Sequence, residues 1–272
     1  MKPLVSVCLT TYNGERFLRE VIESILSQTY SNYEFIIIDD GSTDSTKDIL
    51  SEYHNNSKIR IHHQSNKGRA ISLNKTINLS KGRYIAIIDD DDPSKPKRLE
   101  KQVKFLEKHP EYGLVGSYWG REYPDNPEKE KEVIKPPTKD EKIRKAFPRY
   151  SPFLHSSILI RKKILNKKPY NENLRNCLDL DLYIKIAKNH KLANIPKVLA
   201  KQRFHEQQHF ANQLNRKKNL RTDSKIKIKA VKKLKLKPHN YIYPIMIYLY
   251  TFLPTKIQKQ IKKTFKKHFI AK

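Results

Sequence analysis

An α/β fold, built as a doubly wound sheet and followed by a basic helical extension, is what this sequence predicts. Three observations carry the prediction. The first ninety residues alternate strand and helix patterns three times and close on a fourth strand. Two of those strands, Glu34 to Asp39 and Tyr84 to Ile88, are almost wholly apolar, as strands covered on both faces must be. Polar residues stand at three strand ends, Thr10-Thr11, Asp39-Asp40 and Asp89 to Asp92, where open sheets of this kind bind ligands.

Taken in order, Leu4 to Leu9 is the first strand and Thr10-Thr11-Tyr12-Asn13-Gly14 the turn after it. In the helix that follows, Phe17, Val21 and Ile25 form one row and Leu18, Ile22 and Leu26 the next, a stripe broad enough to lie on a sheet. After the second strand, Asp40 to Asp44 turns into a helix that Ser42 or Thr43 is placed to cap. Ile59 to His62 is a short third strand. Asn66-Lys67-Gly68 leads into a helix bearing Ile71, Leu73, Ile77 and Leu79, and the fourth strand follows. Pro96 suits the first turn of a helix running to about His109, with Leu99, Val103 and Leu106 inward. Leu114 to Tyr118 and Ser156 to Ile160 read as strands. Tyr123 to Thr138, rich in Pro, Glu and Lys, reads as a mobile loop. Asn176 to Lys188 passes from a strand end or turn into a helix, and from Asn212 the pattern is helical and basic. No internal repeat is visible.

The chain has 272 residues, enough for one full core and an appendage. Its 56 Lys and Arg against 28 Asp and Glu give a net charge of +28, which implies anionic partners. Cys8 and Cys177 are too few for a disulfide framework or a zinc site, and a reducing, cytoplasmic setting fits them. Met1-Lys2-Pro3 leads directly into a strand, so no signal peptide is expected. The longest apolar run, Tyr241 to Leu253, is short for a bilayer span and contains Pro244.

Chemistry concentrates in Asp89-Asp90-Asp91-Asp92-Pro93. Four adjacent carboxylates repel one another unless water or a cation separates them. On an extended backbone Asp89 and Asp91 would face one side, Asp90 and Asp92 the other. Oxygen-only ligands suit Mg²⁺ or Mn²⁺, with phosphate oxygens completing the shell. Neither GxGxxG nor GxxxxGK[ST] occurs, so phosphates would need a partner other than a glycine loop.

Several segments in one order then resemble the family 2 glycosyltransferases: Thr11-Tyr12-Asn13, Gln28-Thr29-Tyr30, Ile37 to Asp44, Asn66-Lys67-Gly68, Gly82 to Ile85, Asp89 to Asp92 and Pro96 to Leu99. The resemblance is dense over residues 4 to 118 and returns at Leu178 to Leu182 and Arg203 to His205. It implies an inverting enzyme with the GT-A fold, a doubly wound mixed sheet flanked by helices. Residues 1–210 would be the catalytic domain, 1–118 its nucleotide-sugar half and 119–210 its acceptor half, with 211–272 a basic, amphipathic helical region. It also implies a nucleotide-sugar donor, commonly a UDP-sugar, and Mn²⁺ or Mg²⁺. By resemblance, Thr10 and Asp40 match contacts to the base, with Asp39 and Tyr12 beside them. Asp90 matches a ribose contact, Asp91 the main metal ligand with Asp89 its companion, and Asp179 the catalytic base. The family often has Glu-Asp where this chain has Leu178-Asp179, and a small residue at the position of Asp90.

Sugar transfer needs stabilisation of the departing diphosphate and removal of a proton from the acceptor hydroxyl. A metal with basic neighbours serves the first need, and Lys67, Arg69 and His205 are candidates for support. One carboxylate, Asp179, serves the second, although a helix N-cap is the plain alternative for it. A glycosidase would instead need a carboxylate pair flanking the bond. In the tail, Ile257, Ile261, Phe265 and Phe269 recur every four residues among lysines. That spacing predicts an amphipathic cationic helix that either docks peripherally on the cytoplasmic face of an anionic membrane, near a glycan or polyprenyl-linked acceptor, or packs its stripe on the catalytic domain with the lysines in water. A nucleic-acid partner is not expected, because no basic and aromatic sheet face or binding module is evident.

Overall fold

The computed structural model describes residues 2–205, 216–254 and 257–258. Its elements run β1 (Val5–Thr11), α1 (Leu18–Leu26), β2 (Tyr33–Asp39), α2 (Thr46–Ser51), β3 (Ile59–His63), α3 (Arg69–Leu79), β4 (Tyr84–Asp89), α4 (Arg98–Lys108) and β5 (Tyr112–Glu122). They continue with β6 (Glu132–Ile134), α5 (Asp140–Ala146), β7 (Leu159–Arg161), α6 (Leu178–Ala187), β8 (Lys191–Arg203), α7 (Arg216–Lys233) and α8 (Ile242–Tyr250).

The strands form one mixed sheet in the order β3-β2-β1-β4-β7-β5-β6, with β8 also paired to β5. The pairs β1–β2, β1–β4 and β2–β3 are parallel, so their carboxyl ends share one edge of the sheet. Register places Thr11 beside Asp39 and Thr10 beside Asp89. That alignment, set by continuous apolar strands, brings all three polar strand ends together. Val7, Leu9, Phe35, Ile37, Ala86 and Ile88 face α1 and α4 on one side. Cys8, Ile85 and Ile87 face α3 and α6 on the other.

Several sequence expectations change. Neither Ser42 nor Thr43 caps α2: the cap position is Ser45, and the Ser42 hydroxyl accepts from Asn13 N instead. Pro96 lies ahead of α4 rather than in its first turn, and its carbonyl accepts from Thr29 N. The stretch expected as a loop holds β6, paired antiparallel to β5 through Trp119 to Arg121. His155–Ser157 is a 3-10 turn, and the strand begins only at Leu159. The sequence reading passed over α5 and over β8, whose thirteen residues run parallel to β5 with a register shift at Ser117/Tyr118. The helix expected through Ile261, Phe265 and Phe269 lies outside the described residues.

Candidate active site

β1 ends at Thr11, whose hydroxyl donates to Asp90 Oδ2 at 2.6 Å. Gly14 lies against this bond: a Cβ there would sit 2.6 Å from Asp90 Oδ2 and closer still to Thr11 Oγ1, so only glycine lets the turn pass. Thr10 is partly buried, and Tyr12 is half exposed at the mouth.

At the end of β2 both carboxylates are buried and hold loops. Asp39 Oδ1 accepts from Ser42 N at 2.9 Å, and its Oδ2 meets His63 Nδ1 at 2.9 Å. Asp40 Oδ1 accepts from Gln64 Nε2 at 2.7 Å and Lys67 N at 2.9 Å, while Oδ2 accepts from Gly68 N at 2.8 Å. Asp40 thereby shapes the 64–68 turn and fixes where Lys67 and Arg69 emerge. Both of those residues are exposed.

After β4 the chain turns at once, with Asp92 N donating to Asp89 O. Strand alternation therefore stops at Asp89. Asp89, Asp91 and Asp92 converge, each with an oxygen within 4.8 Å of the others, and Asp90 departs toward Thr11. This corrects the expectation that Asp92 would share Asp90's side. Arg69 pairs with Asp89 Oδ1. Ser156 Oγ lies 2.8 Å from Asp89 Oδ2 and 2.7 Å from Asp92 Oδ2. A hydroxyl has one proton, so this bridge is satisfied in full when Asp92 is itself protonated. Burial and the charges of Asp91 and Asp89 do push Asp92 well above the usual carboxylate range. Burial and Asp91 raise Asp90 to about 7, against the Thr11 hydroxyl. Burial raises Asp89 too, but Arg69, His155 and Ser156 overcome it and hold the group below its ordinary value. Beneath the knot, fully buried Arg98 donates to Ile87 O and Ile158 O, and burial lowers it to about 9.

β8 completes the site. Lys201 N donates to Pro93 O and Arg203 N donates to Asp92 Oδ1 at 2.8 Å, fastening the strand's end to the acidic turn. His205 Nε2 then lies 3.1 Å from Asp91 Oδ2, with its ring 4.9 Å from that of Phe17. Its Nδ1 is buried without a hydrogen-bond partner among the described residues. Three converging carboxylates and a histidine, with the Asp92 carboxyl group forced upward in pKa, are a donor set that a hard divalent cation would relieve.

Asp179 is the second residue of α6, after Cys177, whose backbone is left-handed (φ 56°). No side chain caps this helix, so the N-cap alternative for Asp179 is excluded. Asp179 is partly exposed and makes no hydrogen bond or ion pair among the described residues. Asp181, two residues on, is buried against Lys185 at 2.8 Å and Lys229 at 3.5 Å. The charge of Asp89, joined by that of Asp179, raises the pKa of Arg69. One turn after Asp179, the Tyr183 hydroxyl meets His155 Nδ1 at 2.7 Å, and Tyr170 meets the other ring nitrogen at 3.1 Å. A neutral imidazole, one nitrogen donating and one accepting, satisfies both tyrosines. Burial holds His155 below its ordinary pKa, in keeping with that.

The sequence reading did not single out Thr11, Ser156 or His155 as site residues, and marked Arg203 only as part of the Arg203-x-His205 resemblance. Thr11 was next in line to Thr10. Ser156 and His155 arrive from a distant segment, and no local spacing marks them.

Residues 6–168 match the family described as Glycosyl transferase family 2. The glycosyltransferase MJ1057 of Methanocaldococcus jannaschii is 37% identical over 222 residues, 80% of this chain and 76% of that one. Staphylococcus aureus TarS 1–349, solved with UDP-GlcNAc, superposes with a TM-score of 0.67 at 18% identity, over 91% of this chain and 72% of that one. The mannosyltransferase PcManGT of Pyrobaculum calidifontis, solved with GDP-Man and Mn²⁺, gives 0.66 at 18% identity, over 98% and 81%. These likenesses establish the expected GT-A architecture.

Proposed function

The chain belongs to glycosyl transferase family 2, and from that premise we propose that it moves a sugar from a nucleoside diphosphate, UDP foremost, to a hydroxyl of a glycan or polyprenyl-linked acceptor. The setting proposed is surface polysaccharide or glycoconjugate assembly, with the protein held peripherally on the cytoplasmic face of a membrane. The observation that carries this reading is the meeting of the Asp89–Asp91–Asp92 cluster with His205, near Asp179, whose charge acts on the same Arg69 as that of Asp89.

Mn²⁺ or Mg²⁺, when bound, supplies Lewis-acid stabilisation of the departing diphosphate. Asp91 and Asp89 would hold it, with Asp92 and His205 within reach. Thr10, Tyr12, Asp39 and Asp40 frame the nucleoside end, Asp40 by setting the loop and Tyr12 by offering an exposed ring. Asp90 serves the ribose. Lys67, Arg69 and His205 lend positive charge or hydrogen bonds near the phosphates. Asp179 takes the proton of the acceptor hydroxyl as that oxygen attacks the anomeric carbon. The bond from carbon to diphosphate oxygen breaks on the opposite face, and its electron pair leaves with the phosphate, so an α-linked donor gives a β product.

The test is incubation with Mn²⁺ and a panel of UDP-, GDP- and dTDP-sugars, reading thermal shift and donor hydrolysis. One donor is expected to raise Tm and to be turned over, and EDTA to abolish both. Binding without turnover would leave a donor-binding protein. Neither binding nor turnover with any donor would sink the reading.

A further inference from the structure

Opposite the sheet, α7 and α8 form a hairpin with an unusual outer face. α7 packs on α6 through Ile226 and Ala230, which lie in the same core as Tyr183 and Ile186. α8 packs on α7: Arg221 Nε donates to Thr251 Oγ1 at 2.9 Å, and the guanidinium lies 4.2 Å from the Phe252 ring centroid. Pro244 and Thr251 turn inward and are buried. On the outer face of α8, Ile242, Ile245, Met246 and Leu249 recur at helical spacing and are 41 to 59% exposed. The segment 241–254 carries no charged residue, in a chain of which 31% is charged. A soluble surface seldom leaves so continuous an apolar face uncovered.

Charge decides what covers it. The adjoining segment 216–237 holds nine lysines and two arginines against the single acid Asp223. Two copies of a chain at +28 repel each other, whereas an anionic bilayer attracts the basic rim and admits the apolar face. No described helix is long and apolar enough to cross a membrane, so the contact would lie in the bilayer interface. The contacts also lead back to the site. Two residues from Arg221, Asp223 lies 3.8 Å from Cys177 Sγ, and Cys177 precedes Asp179 by two positions.

We propose that the outer face of α8 inserts into the interface of an anionic phospholipid bilayer and brings the mouth beside Asp179 to a lipid-linked acceptor. The docking deepens the peripheral membrane setting proposed above, and the role of Asp179 in it rests on the catalytic reading. The experiment is co-sedimentation of the full chain with vesicles of phosphatidylcholine alone and of phosphatidylcholine mixed with phosphatidylglycerol. A double variant, Met246→Glu with Leu249→Glu, is compared with the parent. The parent is expected to bind the anionic vesicles, weakly at high salt, and the variant to lose at least about tenfold in binding. Donor hydrolysis in lipid-free buffer should be equal for the two. A Leu249→Trp variant gives a second reading, a blue shift of its emission on adding anionic vesicles. Equal vesicle binding by the double variant, no binding by the parent, or a parent dimer that the variant splits would each overturn the proposal. Vesicle binding without hydrolysis of any donor would keep the docking and discard the catalytic reading.

Discussion

Two acidic strand ends stand side by side on the same edge of the sheet and solve opposite problems. At the end of β2, Asp39 and Asp40 spend their oxygens on backbone N–H groups and polar side chains of their own loops. At the end of β4, Asp89, Asp91 and Asp92 point oxygen toward oxygen. The first pair is satisfied within the fold, and the second is left in mutual repulsion, with Asp90 and Asp92 driven up in pKa. Identical residue types at equivalent strand ends therefore differ in purpose. One builds the loops of the site, and the other is the cluster at which the proposed cation would bind.

The comparison breaks most sharply at Asp91. Asp91→Asn should lower metal-dependent turnover by about a thousandfold or more, since a carboxylate ligand and its charge are both lost. Its Tm without metal should hold or rise, because repulsion with Asp89 and Asp92 is relieved. Turnover close to the parent's, or unfolding of the variant, would erase the distinction between the two ends. Asp179→Asn comes next, with turnover down by about a hundredfold or more and donor-induced thermal shift retained. Asp181→Asn should do the reverse, costing stability through the loss of its Lys185 and Lys229 partners. Steady-state rates and thermal shift on the two variants separate them.

Asp40→Ala tests the other end. Three donors, Gln64 Nε2, Lys67 N and Gly68 N, lose their acceptor. With Asp40 buried, a loss of about 2–4 kcal/mol in stability is expected from denaturant unfolding. Donor affinity should fall with it, as the 64–68 turn releases Arg69. A stable variant with weakened donor binding would move Asp40 from scaffold to direct contact.

Legibility in the sequence followed uniformity of environment. The runs Ile36-Ile37-Ile38 and Ile85 to Ile88 are buried on both faces, so composition alone announced them, and the sheet edge they define located the site. β8 stayed hidden because its environment is mixed: Lys191 and Lys197 are exposed, Pro196 interrupts the pattern, and the pairing with β5 shifts register there. α5 is seven residues long with only Ile143 and Ala146 buried. The acidic run was visible, but its partition was not, since alternation presumes an extended backbone and the chain turns after Asp89. His205 was named by resemblance. Its position against Asp91 depends on β8, which local pattern did not reveal.

The finest test of the contrast is the acid titration of Asp39. Burial favours its neutral form, yet the bonds from Ser42 and His63 outweigh burial and leave its pKa below the ordinary aspartate value. A carboxyl group with a lowered folded-state pKa adds stability that is fully present above its unfolded pKa and is lost as pH falls through the folded one. The stability difference between the parent and Asp39→Asn should therefore be constant near neutrality and shrink as pH drops below the usual aspartate range. Denaturant unfolding across that range measures it. At the β4 end the sign is opposite. Asp92 has a raised pKa, so its ionisation opposes folding as pH rises, and Asp92→Asn should gain on the metal-free parent toward neutral pH. If both differences ran the same way with pH, the two strand ends would share one electrostatic character, and their division into a satisfied scaffold and a repelling cluster would not stand.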